Sequence, residues 1–562
     1  MLKIAKLRFL LFFGLMLLSG IAMAQQPKID TVNLVNGGDY LTTGQRGDTL
    51  RFIKFVGSAS ERVVFQQKET FIYSDSAYLF RTLNSVEAYG NVKVVHQDTI
   101  IVTGKKLTYQ GNIKLARMIE NAKYKDPSLT ITSDTLKYDM LSNIASYLQN
   151  GKLVDERNTL TSEIGQYFTN QKLAAFKNDV VLVNPEYLLY SDTLQYNTAS
   201  RVAIFKGPTT IISREDSTVI RAQAGGRYET EAKQTRFGRA TIETPSYIIQ
   251  GDELYSDDLN KFYSASQNVR MISKEEDVVI TGEYGRYWRA QGLTKIFGEP
   301  MMQKHVPDDN DTLFLLADTL VSIENEIKAK ERMLAYHNVR IYKTDLQGIA
   351  DSMAYMLADS VINLYGDPVL WYDKTQIEAD SITMLISGKG LKELRMKVNS
   401  FLITRDTLSN PNQIKGREMT AYFKKSKLDR LLVYGNAESL LYALNDEETA
   451  TIGVNKTLAS RMKMTFKDAG FDQAYFYTKP EAAFIPPHEL KESSRRLKGF
   501  VWRTKERPQR DKLREKLVRE KYEESEITDG SQVEQVMDRA KEMQQKINKN
   551  RGRDAELRKQ TQ

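Results

Sequence analysis

The sequence predicts an all-β, elongated two-sheet repeat array, and three observations carry that reading. A two-element pattern returns about every 30 residues, within the range of solenoid and array periods. Within each copy, apolar and polar residues alternate with period two, the signature of half-buried strands. The chain of 562 residues holds 29 Tyr and 22 Phe against only 13 Pro, a composition suited to sheet.

The first element reads small residue–Asp–x–apolar–x–Tyr. Ser133 to Tyr138 and Ser191 to Tyr196 carry it in full, and Ala350-Asp351-Ser352-Met353 and Ala379-Asp380-Ser381-Ile382 carry it in part. Leu136 and Tyr138 share one face, with Thr135 and Lys137 opposite. The second element is an alternating strand ending in aromatic–Gly–Asn/Asp/Glu. Val86 to Val94 shows it, with Tyr89-Gly90-Asn91 at its centre, and Gly298, Gly366 and Gly435 recur at the same place. Those glycines call for an unusual backbone angle or a close approach. Leu129 and Ile131 differ in parity from Leu136 and Tyr138, which requires a bulge or corner near Ser133-Asp134. His337 stands where other copies have Gly, between Ala335 and Val339, and is expected to pack toward the interior.

One unit cannot bury its own apolar face, whereas about twelve stacked units can. The expected organisation is a leader at 1–24, a lead segment at 25–49, the repeat array at 50–480 and a charged tail at 487–562. Met1 to Ala24 has a basic start, an apolar run from Phe9 to Leu18 and an Ala22-Met23-Ala24 end, the pattern of a cleavable signal peptide; a membrane anchor is the other reading. The tail is expected to be mainly helical or disordered, with helices from Arg510 to Glu524 and from Ser531 onward. It could dock to a partner, cap the last sheet edge or touch anionic headgroups.

Charge and composition exclude several functions. Of the net charge of +8, the first 24 residues carry +3, residues 488–562 carry +6, and the body between them comes to −1. The body therefore lacks the concentrated positive charge of a nucleic-acid groove, and no nucleic-acid partner is expected. With no Cys and four scattered His, neither thiol chemistry nor a Cys/His metal site is expected. No phosphate loop, dinucleotide fingerprint or nucleophile elbow is present. The expectation is a protein without catalytic residues, metal or cofactor. Asp308-Asp309-Asn310-Asp311 reads as a polar loop rather than a calcium site, and Arg46-Gly47-Asp48 as a turn.

The two elements, best seen in Ser133–Tyr138, Ser191–Tyr196 and Tyr89-Gly90-Asn91-Val92, resemble the OstA-like repeat family. That family includes the lipopolysaccharide-transport proteins LptA and the periplasmic domain of LptD. The resemblance spans roughly residues 50–470. It implies an open, V-shaped β-jellyroll that carries lipopolysaccharide acyl chains between its sheets, sits in the periplasm, and pairs end to end with other transport proteins or with itself, with possible outer-membrane association. The inward-facing residues Val92, Val94, Leu136, Tyr138, Leu194 and Tyr196 are the expected lipid contacts. The alternative is an exported β-solenoid adhesin or glycan-binding scaffold.

Overall fold

A computed structural model describes residues 30–510, except 59, 216, 275–276, 307–310, 388–389, 425–426 and 468–469. The described residues form two units. Of the described residues, the first comprises those of 30–306, 317–336 and 354–359, and the second those of 311–316, 337–353 and 360–510. Both are built almost wholly from antiparallel strands.

In the first unit the long strands cross from one wall of the fold to the other. Ser85–His96 is typical: residues 85–89 pair with Ser76–Phe80, and residues 93–96 pair with Thr70–Ser74. Between the two halves sit Gly90 and Asn91, both at positive φ, 74° and 39°. The same two-residue left-handed bulge recurs as Glu120-Asn121, Asn178-Asp179, Gln267-Asn268 and, in the second unit, His337-Asn338, Gly366-Asp367, Val398-Asn399 and Gly435-Asn436. Opposite most of these bulges a partner strand spends one residue, the Asp or Glu of the repeat; opposite Gly435-Asn436 Arg417 stands there instead. For example, Ser133 pairs with Ala122 and Thr135 with Ile119, so Asp134 alone faces Glu120-Asn121. The inward parity therefore changes at the Ser-Asp step, as expected: Ile131 and Ser133 face inward before it and Leu136 and Tyr138 after it, while the bulged strand keeps Ala116, Met118, Ala122 and Tyr124 inward.

Glycine suits the first bulge position for two reasons. A Cβ at Gly366 would lie 2.5 Å from Asp351 Cβ, and φ there is 77°.

His337 corrects the reading made from its neighbours. Ala335 and Val339 are buried, but the bulge inserts two residues between them, so alternation fails and the His337 side chain is 68% exposed.

The expected helical tail is also corrected over residues 487–509. This stretch holds only the single 3₁₀ turns Glu492–Ser494 and Thr504–Glu506, and otherwise lies along the second unit as a strap. Its apolar residues find an uncovered sheet face, which outweighs any local helical preference. Of the helix expected from Arg510 to Glu524 all but Arg510, and with it the helix expected from Ser531 and the leader at 1–24, lie outside the described residues. No helix among the described residues is long and apolar enough to cross a membrane. Before the expected array, Asn33–Asn36 and Tyr40–Arg46 already form strands, and Gly47-Asp48 makes the hairpin turn that follows.

Candidate functional site

Alternation aims every second side chain inward, and the register lines these up across strands. On one wall of the first unit the ladder runs Val94–Val102–Tyr124–Ile131–Leu153–Leu160 and continues through aliphatic residues. On the other wall it runs Tyr109–Ala116–Tyr138–Ala145–Tyr167–Ala174–Tyr196–Ala203–Tyr228. Tyrosine and alanine alternate strictly along nine positions, because the repeat places its Tyr on every other strand. A large ring beside a methyl group fills the interior without overlap. The walls meet where Tyr124 of one lies 5.5 Å from Tyr138 of the other, ring to ring, and likewise at Tyr187 and Tyr228.

The six residues expected to contact lipid all lie on these inner faces. Val92, Val94, Leu136, Tyr138 and Leu194 are at most 1% exposed and Tyr196 is 5% exposed, all within one contiguous core. In the first unit they contact one another and their cross-wall partners, so their interior is filled by protein. Burial raises the phenol pKa of both tyrosines, that of Tyr196 to about 12. His96 ends this core: it is 8% exposed, with Nδ1 2.9 Å from the Thr70 hydroxyl and its ring edge-on to Tyr138.

The second unit keeps the same inner faces but leaves space between them. A cavity of about 1040 Å³ is lined by Tyr372, Leu402, Ile414 and Leu441 from one wall and by Leu428, Met464, Ala474 and Phe476 from the other. The walls still touch at one point, where Tyr372 stands edge-on to Phe423 at 5.2 Å. Asp345, Asp373, Asp472, Lys427 and Arg507 contribute the charged part of the lining. The chemistry is that of an apolar slot with a mixed polar edge, suited to a chain of methylene groups. Sequence reasoning placed the lipid contacts in the first unit and missed this slot. A signal was present: Val369-Leu370-Trp371 and Phe401-Leu402-Ile403 are runs of three consecutive apolar residues, each fully buried. Such runs mean that both faces of the sheet are covered.

The outer cover is the strap. Leu497 is 3% exposed against Phe401, Ile403, Leu440 and Val454, and Phe500 and Trp502 pack beside it. Three buried glutamines hold it, two by its backbone and one by a side chain. The Gln413 amide donates to the Arg495 carbonyl at 2.9 Å and accepts from Leu497 N–H at 2.8 Å. Gln376 donates to the Val501 carbonyl at 2.8 Å and accepts from Arg503 N–H at 2.9 Å. Gln347 accepts from Arg507 Nε at 2.6 Å. At two of these points a side-chain amide imitates a neighbouring strand.

On the outside, the repeat acid and the bulge form a pair in several copies of the repeat. Asn91 donates to Asp75, Asn268 to Asp252 and Asn399 to Asp380, at 3.0, 2.6 and 3.1 Å. These carboxylates are corner groups spread along the repeat, and no cluster of three metal-ligating side chains occurs among the described residues. Asp311 accepts from Thr344 N–H at 2.9 Å and so belongs to a loop contact; 308–310 lie outside the described residues. Arg46 pairs with Glu87 at 3.0 Å.

The family model described as "OstA-like protein" matches residues 55–192. None of the curated proteins compared matches this chain. Among solved structures, the chain is similar to LptH from Pseudomonas aeruginosa, described as the LptA-homologous periplasmic component of the conserved lipopolysaccharide transport device. That similarity has 11% identity and a TM-score of 0.19, and covers 21% of this chain and 82% of LptH. The similarity to the OstA-like family thus covers residues 55–192.

Proposed function

We propose that the chain is a periplasmic lipid carrier of the lipopolysaccharide-transport type, holding acyl chains between its two walls and passing them on without chemistry. The observation that carries this reading is the 1040 Å³ apolar cavity between the inner faces of the second unit. The family match over residues 55–192 and the leader-like first 24 residues support the setting. Burial of an acyl chain supplies the affinity, about 25 cal/mol for each Å² removed from water. On this reading Val92, Val94, Leu136, Tyr138, Leu194 and Tyr196 extend the same inner surface, and carry lipid there when the walls part. Hand-over to other transport proteins, or to a second copy, would use the terminal strand edges.

The adhesin reading has less support. A sugar-binding face needs open aromatic rings, and several outer rings are already covered by this chain's own cations. Arg46 lies over Tyr78 at 5.5 Å, Arg236 over Tyr255 at 5.4 Å and Lys463 over Tyr475 at 5.3 Å.

Titration of the full chain with purified lipopolysaccharide and with a dansyl-labelled fatty acid tests the proposal. Saturable binding, abolished by Leu441→Trp in the cavity wall, is expected. Binding that the substitution leaves unchanged would refute the site.

A further inference from the structure

We propose that residues 495–507 form a latch that controls the mouth of the cavity in the second unit. The inference rests on the lipid-carrier reading for its purpose, and on the geometry of the strap for its mechanism.

The strap runs against the chain's own order. It begins on the strand of Gln413, passes Gln376, and ends on Gln347. Along this path it crosses the outer face of the wall whose inner face lines the cavity. Its last anchor is at the cavity itself. Arg507 is one of the lining residues, and its guanidinium joins two strand ends there, donating through Nε to Gln347 at 2.6 Å and through a terminal nitrogen to the Asp373 carbonyl at 3.3 Å. Asp373 and its neighbour Tyr372 line the same cavity. These two strand ends are ladder neighbours, Leu346 opposite Tyr372 with Asp373 N–H donating to the Asp345 carbonyl at 3.2 Å, and while the strap is docked Arg507 braces them further and fills the cavity edge beside them.

The attachment is of a kind that can let go. No ladder pairing joins the strap to the sheet; side-chain amides, ion pairs and apolar contacts do. Arg503, which fixes the segment leading to Arg507, pairs with Asp367 at 2.8 Å and with Glu506 at 2.7 Å; its own side chain is 17% exposed, but the carboxylates it holds are 75% and 47% exposed. Ion pairs whose carboxylates face water are reached and screened by salt. Releasing this end frees Arg507 while Leu497 stays seated in its apolar contacts, so the end of the strap can open without unfolding the sheet.

The chain has no cysteine, so one can be introduced as a reporter. Leu441→Cys places a thiol in the cavity wall. Its rate of labelling by a maleimide reads access through the mouth, and tryptic cleavage after Lys505 reads release of the strap end. Two substitutions loosen the latch from opposite sides: Arg503→Ala on the strap, and Asp367→Asn on the sheet, which keeps a residue type tolerant of its positive φ of 55°. Both should speed cleavage and labelling together, several-fold, and added salt should do the same to the unsubstituted latch. Faster cleavage with unchanged labelling overturns the latch, and so does a failure of both substitutions to change either rate. The labelling result does not depend on lipid. If the parent chain takes up no dansyl-labelled fatty acid while labelling responds as expected, the carrier reading fails and the latch stands.

Discussion

The carboxamide of Asn91 donates to the carboxylate of Asp75 across 3.0 Å, joining the left-handed bulge of one strand to the break in its neighbour. Asp75 N–H in turn lies 3.2 Å from the carbonyls of Tyr89 and Gly90. This corner is where each strand leaves one wall and enters the other. Its recurrence explains the spacing of the repeat better than any single strand does: an Asp or Glu returns at most turns because a bulge is answered there, as Asn178 is by Glu163. Asp75→Ala leaves the bulge unanswered and should cost about 1 kcal/mol of stability, read by chemical denaturation. No measurable cost would remove the corner from the account.

Backbone strain at the corners can be tested in both directions. Gly366→Val puts a branched side chain at φ 77°, 2.5 Å from Asp351 Cβ, and should destabilise by about 1–3 kcal/mol. Val398 already occupies the corresponding position at φ 63°, 48% exposed. Val398→Gly should therefore stabilise, by about 1 kcal/mol. Denaturation midpoints that move the same way for both substitutions would contradict the assignment.

The tyrosine–alanine ladder predicts a steric asymmetry. Ala145 is flanked across strands by Tyr138 and Tyr167 and is fully buried. Ala145→Leu should overpack that gap and cost about 1–3 kcal/mol. Ser146, the next residue outward, should accept the same change at little cost, read by thermal melts of the two variants.

Much of this was legible in the sequence. Leu136 and Tyr138 were placed inside by parity alone, and the recurrence of Asp and Gly-Asn marked the corners. What failed, failed for physical reasons. His337 was misassigned because period-two counting does not survive a two-residue bulge. The strap was misread because its Arg and Lys residues look like a solvated tail, while the face that receives Leu497, Phe500 and Trp502 is written about a hundred residues earlier, at Phe401 and Ile403. The cavity was not visible because it depends on how far apart two walls stand, which no strand pattern encodes.

His96 gives the fold an acid sensitivity. Burial lowers its pKa below the ordinary value, against the charge of Glu69 and with a smaller contribution from Lys114, so folding favours the neutral ring. Protonation favours the unfolded chain, whose histidine titrates near pH 6.5. Its contribution to stability is thus present above about pH 6.5 and is lost as the pH falls through the lower folded value. His96→Gln should remove this part of the acid dependence. The melting-temperature difference between parent and variant should shift in the variant's favour on acidification; a constant difference would show that His96 does not titrate with folding.

Inner and outer positions should differ in what they touch in cells. A photo-crosslinking residue at Leu136 or Leu194 is expected to capture acylated lipid, and one at Lys137, on the opposite face of the same strand, is not. Equal capture at Leu136 and Lys137 would undo the assignment of inside and outside.

The most direct test of lipid carriage is mass spectrometry of the organic extract from the full-length protein purified from its native envelope, beside the Leu441→Trp variant prepared identically. An acylated lipid in near-stoichiometric amount with the parent chain, and depleted in the variant, is the predicted result. A parent chain free of lipid, or equal lipid in both preparations, would contradict the account.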